Sequence, residues 1–210
     1  KNEAKKLYHL TDDKLEVQYP FITLQNQVSN DLESIFDSSK FNIVYSGALG
    51  EKQNPMKLLN FFSEASKQIK NTVFHIFSEG ETMNKLKKVN ENKNILFHNL
   101  VAKENLEELY SRSTVQVVPQ KENTSKGSLP SKLPNLLASG CKILLITDAN
   151  SEIEDFFKSH NLGLVSTNWS IDVLVKKLQF LIANQIDAVH QRKVAEKNFT
   201  IDKMILKILR

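Results

Sequence analysis

Cysteine and long apolar runs are scarce in this chain of 210 residues. The single cysteine, Cys141, excludes an intramolecular disulfide and any zinc site built from several cysteines, and we expect it to be a small buried side chain. No apolar run reaches the roughly 20 residues that a membrane-spanning helix needs. The five histidines are scattered without metal-ligand spacing, so the sequence predicts no metal site.

The overall composition is that of an ordinary folded domain. Hydrophobic residues make up 40% of the chain and charged residues 25%, which excludes disordered and fibrous classes. The net charge of +4 suits an anionic partner, namely nucleic acid, a phosphorylated ligand or an anionic membrane surface. Aromatic residues do not interleave with the basic ones, which argues against nucleic acid.

Short apolar runs alternate with segments of helical periodicity from residue 41 onward. The predicted strands cover residues 42–45, 72–77, 95–97, 114–118, 142–146 and 162–165. The predicted helices cover residues 56–69, 83–89, 106–110, 132–138, 152–157, 174–182 and 194–209. Six apolar strands separated by helices predict an α/β fold, a Rossmann-like doubly wound parallel sheet with helices on both faces.

The same pass along the chain predicts three segments. Residues 1–40 are polar and irregular, and they indicate a connector or edge segment. Residues 41–185 hold the predicted Rossmann-like domain, and residues 186–210 form a helical tail. In such sheets ligands bind where the carboxyl ends of the strands lead into helices, so motifs at those points are the candidates for a binding site.

The first motif, SGALGEKQ at residues 46–53, follows the first strand. Its glycines, Gly47 and Gly50, permit a close backbone approach to a ligand. The strand-to-helix context favours phosphate binding by backbone N–H groups, and Lys52 adds a positive charge. A solvated loop lysine explains Lys52 equally well on this motif alone.

The second motif, PSKLPNLLASG at residues 130–140, is more informative. It predicts a helix with Ser131 as its N-cap, Lys132 in its first turn and Gly140 at its end. A lysine at that end is repelled by the helix dipole, at a cost of about 0.3–1 kcal/mol. A phosphate bound there would make the electrostatic free energy favourable instead. The conflict therefore indicates a functional reason for Lys132.

Together, SGALGEKQN and PSKLPNLLASG resemble the C-terminal, donor-binding domain of family-four retaining glycosyltransferases, whose fold is called GT-B. The similarity is greatest to the bacterial type that builds exopolysaccharide, O-antigen and colanic acid. FSEGE at residues 77–81 is similar to the family's glycine loop after the second strand, with Ser78 in place of the first glycine. The resemblance runs from about Phe41 to the C-terminus.

The resemblance implies a set of donor-binding residues. Lys132 and Lys52 would be catalytic, stabilising charge on the leaving diphosphate. Leu100 and Val101 would lie against the nucleotide base, and Asn135 occupies the place of a glutamate that binds the ribose. The full implied set is Gly47, Ala48, Leu49, Gly50, Ser78, Glu79, Gly80, Leu100, Val101, Gly127, Ser128, Pro130, Ser131, Lys132, Leu133 and Asn135.

Two positions depart from the family pattern. The usual pair of glutamates would fall on Gly127 and Asn135, and neither is acidic. The usual basic residue after the first loop glycine is Ala48, which leaves Lys52 as the local cation. Asparagine can still bond a ribose hydroxyl, but it carries no charge.

The resemblance implies a retaining glycosyltransferase of the hexosyltransferase type. It would move a sugar from a UDP- or GDP-sugar to a saccharide or lipid-linked acceptor in cell-surface polysaccharide (capsule) synthesis. We expect no metal or other cofactor, a cytoplasmic location with possible peripheral membrane contact, and an N-terminal acceptor-binding domain in the same full-length protein. This fragment alone would be inactive.

Three alternatives stay open. The substituted glutamates favour a catalytically degenerate nucleotide-sugar-binding or scaffold module. A nucleotide-sugar epimerase of the same architecture would need acidic and histidine residues near the donor, and none are found in the motifs. Nucleic-acid binding is the most distant of the three.

Overall fold

The computed structural model describes residues 2–11, 15, 17, 19–24, 29–125 and 129–208. Six parallel strands form one sheet in the order β3-β2-β1-β4-β5-β6, which confirms the predicted fold class. The strands are β1 (Phe41–Ser46), β2 (Thr72–Phe77), β3 (Ile95–His98), β4 (Val115–Pro119), β5 (Ile143–Ile146) and β6 (Leu164–Ser166).

The helices of the described residues cover both faces of this sheet. They are α1 (Asn2–Tyr8), α2 (Pro55–Gln68), α3 (Glu81–Val89), α4 (Leu106–Arg112), α5 (Leu133–Ser139), α6 (Glu152–Ser159), α7 (Ile171–Ala183), α8 (Ala188–Asn198) and α9 (Ile201–Ile208). Helices α2, α3 and α7 pack on one face in a first core, and α4, α5, α6 and α8 pack on the other in a second core. Alternate residues of each strand point to opposite faces, so β1 gives Tyr45 to the first core and Val44 to the second.

The helices at the two ends of the chain differ from the sequence-based expectations. Residues 2–8 form α1 where irregular structure was expected, since Ala, Lys, Leu and Glu all favour helix. The tail predicted as one helix over 194–209 is two helices, α8 and α9. The break falls at Phe199, whose side chain is buried in the second core and whose carbonyl accepts the Ile22 N–H at 2.8 Å.

A pair of histidines, buried His75 and half-buried His98, joins β2 to β3. His75 Nδ1 lies 3.0 Å from His98 Nε2, and His75 Nε2 lies 3.1 Å from the Asn42 side-chain oxygen. Burial lowers the pKa of His75 to about 3, with a smaller contribution from His98. Both ring nitrogens of the buried His75 therefore have hydrogen-bond partners.

This histidine makes stability dependent on pH. The unfolded chain binds a proton at His75 below about pH 6.5 while the folded chain does not, so stability falls as the pH drops from 6.5 toward 3. We expect a loss of about 2 kcal/mol in the free energy of unfolding between pH 7.5 and pH 5. Urea denaturation at both values measures it, and His75→Phe should remove most of the difference. An equal loss in that variant would contradict this assignment.

Strand order reverses between β1 and β4, since consecutive strands run outward in both directions from this pair. At such a point the loops that follow the two strands separate and leave a crevice at the carboxyl edge of the sheet. The loops after β1 and β4 carry the two motifs singled out in the sequence.

Candidate functional site

A cleft of about 590 Å³ opens at this reversal point. Its walls come from the ends of β1 and β4, the start of α5, the loop after β3 and the N-terminal segment. Its lining residues are Pro20, Phe21, Thr23, Tyr45, Ser46, Gly47, Ala48, Lys52, Gln53, Leu100, Val101, Leu106, Tyr110, Val118, Pro119, Gln120, Thr124, Pro130, Ser131, Lys132 and Asn135. The two sequence motifs therefore meet in one cavity.

The turn after β1 is held in place from below. Leu49 is buried in the first core, and the Tyr45 hydroxyl donates a hydrogen bond of 2.6 Å to the Ala48 carbonyl. Gly47 has φ of +139°, a conformation that side chains with a Cβ rarely adopt. Its own N–H bonds the Phe77 carbonyl at 2.9 Å, whereas no hydrogen bond among the described residues uses the N–H of Ala48 or Leu49. The Ala48 N–H is therefore available to a ligand in the cleft, whereas Leu49 does not line it.

Lys132 reaches across the cleft to this turn. Its Nζ donates to the Ser46 carbonyl at 2.9 Å and lies 4.3 Å from the centre of the Tyr45 ring. A Cβ placed on Gly47 would lie 3.9 Å from the same Nζ, so the glycine leaves room beside the ammonium. No carboxylate in the described part of the chain pairs with Lys132.

Burial lowers the pKa of Lys132 from its ordinary value of 10.5 to about 7. The charged form lacks both full hydration and an anionic partner, so it is disfavoured. An anion bound beside Nζ would supply that partner and raise the pKa again. A buried amine of this kind at the mouth of a cleft is typical of anion-binding and catalytic sites.

Helix α5 begins one residue later than an N-cap at Ser131 would require. The predicted cap is wrong: Lys132 stands at the N-cap position, and no side chain caps the helix. An N-cap side chain bonds the N–H of the second or third helical residue. Counted from Ser131 these are Leu133, whose N–H bonds the Pro130 carbonyl at 3.0 Å, and Pro134, which has no N–H. Gly140 ends the helix as predicted, with φ of +74°.

Asn135 is bonded to the N-terminal segment. Its side-chain oxygen accepts the Thr23 N–H at 2.7 Å, and its side-chain nitrogen donates to the Thr23 hydroxyl at 2.9 Å. These two bonds fix the orientation of the amide and leave one N–H and one lone pair of the amide unused. Any ribose contact from Asn135 would have to use those remaining groups.

The other residues singled out from the sequence fall into three groups. Leu100, Val101, Pro130 and Ser131 line the cleft with Gly47, Ala48, Lys52, Lys132 and Asn135. Leu49, Gly50, Ser78, Glu79, Gly80 and Leu133 do not line it: Leu49 and Leu133 are core residues, Ser78 is buried, and Glu79 and Gly80 are exposed. Gly127 and Ser128 lie outside the described residues.

Sequence reasoning missed the cleft residues that have no motif. The Tyr45 hydroxyl bonds the turn after β1, and the Tyr45 ring lies beside Lys132 Nζ. Pro20, Phe21 and Thr23 come from the segment that was interpreted as a connector or edge segment. The apolar patch YPFI at residues 19–22 is the one signal in the sequence that could have placed this segment against the domain.

The loop after β4 is tied to its neighbours on both sides. Lys121 forms an ion pair of 2.6 Å with Glu51, and Lys57 pairs with Glu122. Asp148, after β5, accepts hydrogen bonds from the Ser125 hydroxyl at 2.7 Å and from the Asn123 N–H at 2.8 Å. These contacts pair the carboxylates of Glu51, Glu122 and Asp148 with neighbouring groups. The described lining of the cleft includes lysines but no acidic residue.

The described ranges hold neither a candidate metal site nor a candidate membrane span. No group of three or more His, Cys, Asp or Glu side chains is placed to hold a metal ion there. Every helix of the described chain is too short or too polar to serve as a membrane span. The sequence-based expectation that no metal is required stays a prediction.

A doubly wound parallel sheet with a lysine-lined cleft at its reversal point defines a Rossmann-like domain. The family profile of the glycosyl transferases group 1 matches residues 30–198. The chain therefore belongs to that family, and its fold is the Rossmann-like half of a GT-B protein, as the motifs implied. No curated protein sequence matches the chain significantly.

Solved structures share the fold at low sequence identity. WaaG, a glycosyltransferase involved in lipopolysaccharide biosynthesis, has a TM-score of 0.67 at 13% identity, over 93% of this chain and 54% of its own. A mutant of Staphylococcus aureus TarM, in complex with fondaparinux, α-GlcNAc-glycerol and UDP, gives 0.67 at 14% identity, over 97% and 40%. The C-terminal domain of the Francisella tularensis glycosyl transferase LpcC gives 0.55 at 17%, over 90% and 95%. The chain thus spans about half the length of the whole enzymes.

Proposed function

We propose that this chain binds a nucleoside diphosphate sugar and is the donor-binding half of a retaining glycosyltransferase. The observation that carries the proposal is the Lys132 ammonium, placed beside the Gly47 turn without a carboxylate partner among the described residues. A diphosphate in this position would accept hydrogen bonds from Lys132 and from the N–H of Ala48. One protein of similar fold, TarM, holds UDP.

The chemistry follows from where the charge develops. Transfer breaks the bond between the sugar's anomeric carbon and the β-phosphate oxygen, which leaves negative charge on the diphosphate. Lys132 would stabilise that charge in the transition state, with Lys52 as a second cation at the cleft. In a retaining reaction the leaving phosphate oxygen takes the proton of the attacking hydroxyl on the same face of the sugar, so no protein base is needed in this half.

The finer assignments are part of the same proposal. The donor is a UDP- or GDP-hexose, and the acceptor is a saccharide or lipid-linked saccharide of a bacterial surface polysaccharide such as a capsule. An N-terminal half of the full-length protein would hold that acceptor, in the cytoplasm at the inner membrane face. This chain alone would bind donor without turning it over, and binding would need no metal.

The test of the proposal is a titration of the chain with UDP, GDP and ADP, followed by calorimetry or by amide chemical shifts in NMR. We expect saturable binding of at least one nucleotide, with the largest shifts at Gly47, Ala48 and Lys132. Excess EDTA should leave the dissociation constant unchanged. Failure of all three nucleotides to bind would count decisively against the proposal.

A catalytically degenerate binding or scaffold module is the second candidate. It is favoured by the absence of acidic residues from the described cleft lining and by the engagement of Asn135 with Thr23. Sugar transfer by the full-length protein separates the two candidates. Lys132→Met should abolish transfer if the chain is catalytic, and a scaffold role predicts that no transfer exists to be lost.

A further inference from the structure

The N-terminal strap, defined as residues 19–24, is fastened to the domain at several points. The Tyr19 hydroxyl bonds Glu152 at 2.5 Å, and the Tyr19 ring packs edge-on against Phe199 at 5.8 Å. Ile22 donates its N–H to the Phe199 carbonyl, and Thr23 pairs with Asn135. Residues on both sides of Pro20 and Phe21 are therefore held, which fixes the backbone between them.

Phe21 is exceptional within this strap. Tyr19, Ile22 and Leu24 pack against the second core, whereas Phe21 belongs to neither core and lines the cleft instead, half-buried. An aromatic side chain on a fastened backbone, facing a cavity rather than the interior, has no packing role that accounts for it. It is preorganised for contact with a ligand.

The cleft has two chemically different regions. One consists of Lys132, Lys52 and the turn after β1, which suit a diphosphate. The other carries apolar side chains: Pro20 and Phe21 from the strap, and Leu100, Val101 and Leu106 from the segment after β3. Val101 and Leu106 pack against the same core as the strap, so these walls lie on the same face of the sheet. A ligand that fills both regions has a charged end and a flat, weakly polar end.

We propose that Phe21 contacts the base of the bound nucleoside diphosphate and forms part of the base-binding wall. The inference rests on the proposed function, because it assumes that the diphosphate lies at Lys132. The N-terminal strap is then part of the donor site rather than a connector only. Stacking of a base on an aromatic ring tolerates different bases, so Phe21 supports nucleotide binding without selecting among them.

Phe21→Ala and Phe21→Trp, titrated with UDP and with inorganic pyrophosphate, test the inference on the whole chain. Phe21→Ala should weaken UDP binding about tenfold, in keeping with the loss of one base–aromatic contact. It should leave pyrophosphate binding unchanged, because pyrophosphate has no base. Phe21→Trp keeps an aromatic ring at this position and should bind UDP as tightly as the unsubstituted chain. Phe180→Ala removes an exposed ring on α7 that does not line the cleft, so it serves as the matched control and should alter neither affinity.

Each result distinguishes this inference from the proposed function. Unchanged UDP binding in Phe21→Ala would overturn the base contact while leaving diphosphate binding intact. Equal weakening of UDP and pyrophosphate would also overturn it, because the substitution would then act by displacing the strap. If the unsubstituted chain binds neither UDP nor pyrophosphate, the proposed function fails and this inference fails with it.

Discussion

Replacing Lys132 by methionine should weaken nucleoside diphosphate binding roughly 30- to 150-fold, the equivalent of about 2 to 3 kcal/mol for a lost charge-assisted hydrogen bond. Methionine keeps the length and the apolar stem of the side chain but cannot donate to a phosphate. Lys132 Nζ is held by the Ser46 carbonyl and the Tyr45 ring, and Lys52 is the other lysine of the described cleft lining. Calorimetric titration with UDP measures the change.

The folded state should tolerate this substitution. The lysine has no carboxylate partner among the described residues, and removing a buried amine with a lowered pKa removes a desolvation cost. The melting temperature of Lys132→Met should therefore be equal to or above that of the unsubstituted chain. Lys85→Met is the matched control, because Lys85 lies exposed on α3, paired with Glu81. Full UDP affinity in Lys132→Met would contradict the assigned diphosphate site.

The second large effect is a dependence of binding on pH. The Lys132 pKa of about 7 means that above pH 7 most free chains hold this amine neutral. A diphosphate raises the pKa of the amine it contacts, so binding above pH 7 must take up a proton. We expect the UDP dissociation constant to rise about 50-fold between pH 7 and pH 9, while below pH 7 this amine is already charged and its contribution is constant.

Proton uptake gives an independent readout of the same effect. Calorimetry at pH 8.5 in two buffers of different ionisation enthalpy should show uptake of nearly one proton per UDP bound. Lys132→Met should abolish both the uptake and the steep rise above pH 7. A flat profile between pH 7 and pH 9 in the unsubstituted chain would show that the amine is not linked to the ligand.

The sequence was sufficient to predict the fold and two walls of the cleft. Apolar runs of strand length, each followed by a segment of helical period, predict a parallel sheet with helices on both faces. They do not specify the strand order, in which the chain passes from β3 at one edge to β4 beside β1. Gly47 and Lys132 were predictable because the turn and the helix start are local motifs. A Cβ built on Gly47 would lie 3.9 Å from Lys132 Nζ. The two residues are this close because β1 and β4 are neighbours in the sheet.

The third wall could not be predicted from local patterns. The bond between Thr23 and Asn135 joins residues 112 positions apart, and nothing in the composition of either segment specifies the other. Helix α5 starts after Lys132, and Pro134 lacks an N–H that a cap at Ser131 could have bonded. The general preference of serine for N-cap positions does not reveal this. The break between α8 and α9 depends on Phe199 entering the core, a tertiary contact that overrides helical periodicity.

The central claim is that a diphosphate lies between the Gly47 turn and Lys132. A crystal structure of the chain with UDP at pH 6.5 is its most direct test. We predict a phosphate oxygen about 2.8 Å from Lys132 Nζ, with another accepting the N–H of Ala48. Phosphates bound elsewhere on the chain, with Lys132 still contacting only Ser46 and Tyr45, would contradict the account.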